Sequence, residues 1–350
     1  MTVETMWKKL AISESELSLS RVLRCGQTFR WKSINNVWSF ATHDRIILLK
    51  QDARHIYYSQ VMREGDTEGK ELDTLDFIRD YFVLDVKLSE LYTHWKLKHQ
   101  GFQKKNHQDT PFEKFTGIRI LRQDPWECLI SFICSSNNNV KRISKMCENL
   151  CVHFGNHIAD HEGHSYFSFP TPTSLSHPST ESKLRDLGFG YRAKYIHQTA
   201  LKFTDNKTFP DITLDALHAM RSEKYDTAHE FLLQLTGVGP KVADCICLMS
   251  LDKHDVVPID THVYQIAVRD YKFKGKKDVK TLNKETYAAI REFFKEVFGE
   301  YAGWAQSVLF AADLSDLNNG TNIVDLIKDE PKLEPKAKRI KVDKSIKVES

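Results

Sequence analysis

Leu235-Thr-Gly-Val-Gly-Pro-Lys-Val-Ala-Asp-Cys-Ile-Cys-Leu-Met-Ser-Leu-Asp-Lys-His-Asp-Val-Val-Pro-Ile-Asp260 is the stretch that decides the fold. Gly237 and Gly239 stand between two helical runs, Ala228 to Leu235 before them and Lys241 to Met249 after them. Glycine gives the backbone the freedom that a tight turn between helices needs. Asp260 stands just before a further helical run, Thr261 to Arg269. Gly-x-Gly alone fits a plain corner between two helices. The longer string Leu235-x-Gly-Val-Gly-x-Lys-x-Ala243 is far more specific.

Outward from this hairpin the pattern stays helical from residue 111 to about 312. One helix start is well marked: Asp124 can be the N-cap, Pro125 fits N1, and Glu127 at N3 completes a capping-box arrangement. That helix stops near Ser135-Ser-Asn-Asn-Asn139, and a second runs from Val140 to Phe154. Residues 155 to 180 read as a long loop. Further helices are expected from Tyr191 to Phe203, Leu214 to Arg221, Asp226 to Leu235, Lys284 to Phe298 and Tyr301 to Ala311.

Upstream, Gln27 to Lys32, Val37 to Ala41, Arg45 to Lys50 and His55 to Tyr58 are short and rich in aromatic and β-branched residues. Asn35-Asn36 and His43-Asp44 are the turns between them, so an antiparallel meander is expected. Helices follow at Leu72 to Phe82 and Leu88 to His94, and the polar segment 96–110 reads as a linker or loop.

The 350 residues suffice for two or three domains and a large core. A net charge of +3 does not make the whole chain basic, so affinity for nucleic acid must come from local patches. The seven cysteines are odd in number, form no CxxC pair and lie mostly in apolar helical runs. Reduced buried thiols are expected, and a four-cysteine cluster or zinc ribbon is not. No secretory signal or apolar run of membrane-spanning length is seen. The opening MTVETMWKKL contains an acid and no arginine, a poor mitochondrial presequence, although a mitochondrial pool stays open. From about residue 315 the chain is mixed in charge and short of aromatics, and disorder is expected. Within it, Pro335 to Asp343 is a compact basic cluster. It reads either as a nuclear-import signal, which would take an import receptor as partner, or as an ordinary charged tail.

At the hairpin, two residues without side chains let backbone N–H groups approach a phosphate, and the following helix points its N-terminal dipole there. Such a unit clamps a nucleic-acid backbone without reading its sequence. Lys241, in the first turn, is either one more phosphate contact or an amine nucleophile. As a nucleophile it must lose its proton, and only about 0.1 % of a solvated lysine is neutral near pH 7.4. Reaching neutrality takes roughly 4 kcal/mol, and a helix N-terminus supplies at most about 2. Desolvation must supply the rest. Asp260 is either an ordinary N-cap or a carboxylate placed to steady positive charge. Lying against Lys241 it would hold the proton on, so two catalytic groups should flank a reacting sugar rather than pair.

Together with Gly26-Gln-Thr-Phe-Arg-Trp31, Ser131-Phe-Ile-Cys-Ser-Ser-Asn-Asn-Asn139, Leu187-Gly-Phe-Gly-Tyr-Arg-Ala193 and Tyr301-Ala-Gly-Trp-Ala-Gln-Ser-Val-Leu-Phe310, these residues resemble the helix–hairpin–helix DNA glycosylases, and within them the eukaryotic 8-oxoguanine glycosylase/AP lyase family. The strings run in family order from about residue 10 to 312. The resemblance implies an α+β chain, with an antiparallel β domain over 1–110 and an all-helical glycosylase core over 111–314; the tail over 315–350, expected from its composition to be disordered and basic, lies outside it. It implies excision of 8-oxoguanine opposite cytosine from damaged double-stranded DNA; a monomer is expected, nuclear on the import reading of the basic cluster, with no membrane attachment. Lys241 matches the Schiff-base lysine and Asp260 the carboxylate that supports the charged sugar, a chemistry needing no redox cofactor or metal. Gly26 matches the carbonyl that accepts from N7–H of the lesion, which guanine lacks. Phe310 matches the ring stacked on the flipped base, with Gln306 reading its Watson–Crick edge and Cys245 and Pro258 lining the pocket. Asn137 matches the residue that fills the vacated duplex, Arg142 and Arg192 the readers of the orphaned cytosine, and Tyr191 a wedge. Gly237, Gly239 and His262 match phosphate-backbone contacts. Pro240 departs from the pattern and removes one N–H beside the clamp. A pyrimidine-lesion or mismatched-adenine glycosylase of the same superfamily, usually carrying a four-cysteine cluster, and a non-enzymatic DNA-binding module are the alternatives.

Overall fold

The computed structural model describes residues 6–63, 71–102, 110–275 and 283–313. The tail expected over 315–350, and most of the expected 96–110 linker, lie outside them. The chain is α+β. Strand β1 (Lys8–Ala11), a short helix α1 (Leu19–Val22), and strands β2 (Lys32–Ile34), β3 (Val37–Ala41), β4 (Arg45–Gln51) and β5 (His55–Met62) come first. The strands form one antiparallel sheet in the order β1-β5-β4-β3-β2. Asn35 and Asn36 close the β2–β3 hairpin at φ 50° and 62°, the left-handed pair that a two-residue hairpin demands and asparagine tolerates.

β4 reads as an unbroken apolar run because both of its faces are covered. Ile47 and Leu49 pack with Leu17, Leu19 and Val22 and with Ile78 and Phe82 of the region around helix α2 (Glu71–Tyr81). Ile46 and Leu48 pack with Ile158 and Tyr166. Those two residues belong to a second hairpin, β6 (His157–His161) and β7 (His164–Phe167), inside the segment expected to be a long loop. Its outward residues are polar, so only two inward positions, Ile158 and Tyr166, carry the strand signal. The Tyr166 hydroxyl fastens the hairpin to Ser39 Oγ at 2.7 Å.

Two further expectations are corrected. Gln27 to Trp31 is not a strand, and only Lys32 joins β2. This segment is a strap held by residues of the helical part and, through Arg30, by the carbonyls of Ala41 and Phe167. Helix α3 (Leu88–Gln100) runs past His94 into the expected linker, because Leu88, Tyr92, Trp95 and His99 share a buried face. His99 Nδ1 meets the Tyr271 hydroxyl at 2.6 Å.

The helical part continues with α4 (Pro111–Lys114), α5 (Pro125–Ser135), α6 (Val140–Phe154), α7 (Pro172–Leu175), α8 (Thr180–Asp186), α9 (Arg192–Thr204), α10 (Leu214–Ala219), α11 (Tyr225–Leu233), α12 (Pro240–Ser250), α13 (Thr261–Asp270), α14 (Lys284–Phe298) and α15 (Ala302–Asp313). α5, α12 and α15 are buried nearly all round and form the centre of the core. Asp124 caps α5 by accepting from Glu127 N at 2.8 Å. The reciprocal half of the expected capping box is replaced, since the Glu127 carboxylate pairs with Arg30 at 2.5 Å. Among the described residues no helix is long and apolar enough to cross a membrane.

Candidate active site

The hairpin forms as its glycines require. α11 ends at Leu233, α12 begins at Pro240, and Gly237 sits between them at φ +84°. α9 braces the turn. Thr199 Oγ1 donates to Thr236 O at 3.0 Å, Lys202 Nζ donates to Gln234 O, and the Tyr195 ring lies on Gly237. A Cβ on Gly237 would stand 2.7–2.8 Å from three Tyr195 carbons. Gly239 differs: it is exposed at φ −98°, and a Cβ there would meet nothing within 4 Å. One glycine is thus required by the protein's own packing, and the other leaves backbone open at the N-terminus of α12. Tyr195 was not read from the sequence. Its spacing of four from Tyr191, which puts both rings on one face of α9, is the signal that could have found it.

Lys241 is half-buried in the first turn of α12, one helical turn below the buried thiol of Cys245, which is near enough to act on the amine. Asp260 caps α13, its Oδ1 accepting from Val263 N at 2.9 Å. A cap of this kind contributes about 1 kcal/mol. The carboxylate is therefore held in place by its own helix. Lys241 and Asp260 share no ion pair or hydrogen bond among the described residues, yet Asp260 is close enough for its charge to act on the lysine.

The Lys241 pKa lies above the ordinary lysine value. Cys245 is the main cause, burial opposes it, and Asp260 adds to it. Burial raises the Cys245 thiol, with Lys241 opposing. In the free protein Lys241 is therefore an ammonium facing a thiol and a carboxylate, and burial alone does not bring it toward neutrality.

Three distant segments converge beside this pair. Gly26, at φ +86°, lies against Phe310 Cε1 and Val140 Cγ2, 4.0 and 3.8 Å from where a Cβ would be. The Phe310 ring is half-exposed and stacks obliquely on His262, centroids 5.3 Å apart. His262 follows Asp260 by two residues, so the Gly26–Phe310 contact is joined to the Asp260 end of α13. One turn back on α15, Gln306 is only 5 % exposed, and its amide makes no hydrogen bond to the described residues. Its amide atoms are not sealed from solvent, so water or a ligand can complete them. Pro258 is buried in the connection leading to Asp260. His262 Nε2 lies 2.7 Å from Asp313 Oδ2 but outside hydrogen-bonding geometry, and Arg269 pairs with the same carboxylate through Oδ1 at 3.0 Å.

The asparagine loop divides its labour. Asn139 caps α6 through Arg142 N at 3.0 Å, and Asn138 turns inward to Cys134 O at 3.0 Å. Asn137 is exposed, sits at φ 48° and makes no side-chain hydrogen bond among the described residues. Tyr191, 46 % exposed, donates to Ser136 O at 3.0 Å, and Arg142 donates to Gly188 O at 3.2 Å. Arg192 is brought to the same place but is buried. It donates to the Ser136 and Asn137 carbonyls and stacks on Tyr191, leaving Nε unpartnered. In the free protein it shapes the loop instead of reaching outward. Val140, beside Gly26, joins this loop to the pocket, a link the sequence did not disclose. Among the described residues no cluster of His, Cys, Asp or Glu could hold a metal ion.

Comparison with known proteins places the chain in a family. Residues 9–129 match the family described as 8-oxoguanine DNA glycosylase, N-terminal domain, and residues 130–295 match the HhH-GPD superfamily of base excision DNA repair proteins. The N-glycosylase/DNA lyase of Saccharomyces cerevisiae is 39 % identical over 96 % of this chain and 96 % of its own. The N-glycosylase/DNA lyase OGG1 of Arabidopsis thaliana is 37 % identical over 88 % of this chain and 80 % of its own. Among solved structures, the Clostridium acetobutylicum 8-oxoguanine glycosylase/lyase, bound to double-stranded DNA with cytosine opposite 8-oxoG, is 27 % identical with a TM-score of 0.70, covering 91 % of this chain and 99 % of that one. MBOgg1 in complex with a low-affinity DNA ligand is also 27 % identical, with a TM-score of 0.69 over 88 % of this chain and 98 % of that one. The chain belongs to the 8-oxoguanine DNA glycosylase family of N-glycosylase/DNA lyases.

Proposed function

We propose that this DNA glycosylase and AP lyase removes 8-oxoguanine paired with cytosine, using Lys241 as a Schiff-base nucleophile. The observation that carries the reading is the meeting of the Gly26–Phe310 contact with the Lys241–Cys245–Asp260 group, at the mouth of a hairpin whose Gly239 backbone is open. The Lys241 amine adds to C1′ of the flipped nucleotide while the N-glycosidic electron pair leaves with the base. Asp260, fixed by its cap bond, opposes the positive charge that grows on the sugar. Loss of the amine proton and cleavage of the C1′–O4′ bond open the sugar ring to an imine, which acidifies a C2′ proton; loss of that proton expels the 3′ phosphate and nicks the strand. Water then releases the lysine. Guanine would present an N7 acceptor to the Gly26 carbonyl, a mismatch that such sites reject by roughly 10⁴-fold. Asn137, with Arg142, Arg192 and Tyr191 around it, fills the vacated stack and reads the orphaned cytosine.

The enzyme acts as a monomer in the nucleus, imported through the basic cluster Pro335 to Asp343; its composition supports this reading. The catalytic reading is tested by incubating the full chain with duplexes bearing 8-oxoguanine opposite C or A, an oxidised pyrimidine, or no lesion. Base release and strand scission fastest on 8-oxoguanine:C are expected. Faster release of the pyrimidine lesion, or binding without release, overturns it.

A further inference from the structure

We propose that Gln27 is a specificity-setting positioning residue, and that Gln123 is the spacer between the base-reading strap and the helix carrying Lys241. The inference rests on the functional reading above. The strap Cys25–Arg30 is almost wholly buried although it belongs to no strand or helix. Gln27 is 2 % exposed, and each end of its amide is engaged. Nε2 donates to Arg119 O at 2.9 Å and touches Cys25 Sγ at 3.2 Å, while Oε1 accepts from Leu121 N at 3.0 Å. Its backbone carbonyl accepts from Gln123 Nε2 at 2.8 Å. Gln27 thereby pairs with segment 119–123 as a strand would, and replaces the ladder that the strap lacks. Phe29 stacks edge-on to Phe132 at 5.7 Å, and Arg30 pairs with Glu127, so the far end of the strap is held independently.

The same segment reaches the catalytic helix. Gln123 N donates to Met249 O, in the last turn of α12, at 3.0 Å, and Arg221 ties Gln123 O to Ser250 O with bonds of 2.8 Å each. A continuous hydrogen-bonded path therefore runs from the peptide following Gly26, through Gln27 and Gln123, to the helix that bears Lys241 and Cys245. Gly26 itself is in the left-handed region with no side chain to anchor it, so its carbonyl direction is set by its neighbours. Gln27 touches neither the reacting sugar nor the nucleophile. Displacing a reading group by about 1 Å can cost 10²-fold.

The test separates base reading from lysine chemistry. An abasic site presents no base, so its scission uses Lys241 without the strap. Gln27→Ala and Gln123→Leu are made in the full chain. Gln123→Leu keeps every bond of the Gln27 side chain and removes the one to its carbonyl. Single-turnover excision from 8-oxoguanine:C should fall at least about tenfold in both variants. Scission of an abasic:C duplex should stay within about twofold, which also reports that the variants fold. In a Lys241→Gln background, which turns over neither duplex, the ratio of Kd values for guanine:C and 8-oxoguanine:C should fall by a similar factor. An unchanged ratio in both variants, or abasic scission lost in step with excision, overturns the proposal. Absence of any 8-oxoguanine preference in the unsubstituted chain overturns the functional reading instead, and is recognisable because it precedes any substitution.

Discussion

The two glycines of the hairpin should respond oppositely to alanine. In Gly237→Ala the new Cβ would lie 2.7–2.8 Å from Tyr195 Cβ, Cγ and Cδ2, at a backbone φ of +84°. The left-handed conformation alone costs a non-glycine residue about 1–2 kcal/mol. Overpacking against a ring root that cannot swing away adds about 1–3 kcal/mol. A loss of roughly 2–5 kcal/mol follows, which for a core of this size lowers Tm by on the order of 5–10 °C. Gly239→Ala has neither penalty. At φ −98° with open space around the Cβ, it should leave Tm unchanged, or raise it slightly through the unfolded chain by about 0.4–1 kcal/mol. Its defect should be in DNA. If a phosphate approaches this backbone, one charge-assisted hydrogen bond worth about 1.5–3 kcal/mol is disturbed, and undamaged-duplex binding weakens roughly tenfold or more. Thermal unfolding and fluorescence-anisotropy binding on the two variants decide the matter. Wild-type Tm for Gly237→Ala would refute the packing argument. Wild-type duplex affinity for Gly239→Ala would refute the assignment of the open backbone to the phosphate.

Other predictions follow from single contacts. Asn137→Gly, which keeps the left-handed backbone at φ 48°, should leave Tm nearly unchanged while slowing excision opposite cytosine, whereas Asn139→Ala should lose about 1 kcal/mol of stability with the α6 cap; equal Tm losses would contradict the division of labour. Glu127→Ala leaves Arg30 buried beside no carboxylate and should destabilise by about 3 kcal/mol, moderated by the Arg30 bonds to Ala41 O and Phe167 O, as read by denaturant unfolding.

Much of this was legible because it is local. The glycines, the Asp124 start of α5, and Val140 to Phe154 as a helix depend on neighbours within a few residues, and the structure reproduces them. The failures have a common physical cause. The strap at Gln27 reads as a strand because its aromatic and β-branched residues favour one, but its hydrogen bonds go to residues more than 90 positions away. Glu127 reads as the second half of a capping box, but a buried arginine from the N-terminal strap claims its carboxylate. Residues 157–167 read as loop because only one face of a small hairpin is buried. At the site, residue types and spacing singled out Lys241 and Asp260, and the family resemblance gave their roles. The charge balance at Lys241 was out of reach, since it depends on a thiol and a carboxylate meeting the amine in space. Asn137 could not be told from its two asparagine neighbours by composition, and the structure distinguishes them by where each amide points.

The central claim is that Lys241 attacks the sugar. The most direct measurement is borohydride reduction of the full chain on an 8-oxoguanine:C duplex, followed by mass mapping of the DNA-linked peptide. The account predicts a covalent adduct on Lys241 that Lys241→Gln abolishes. An adduct elsewhere, or trapping undiminished in that variant, would contradict it.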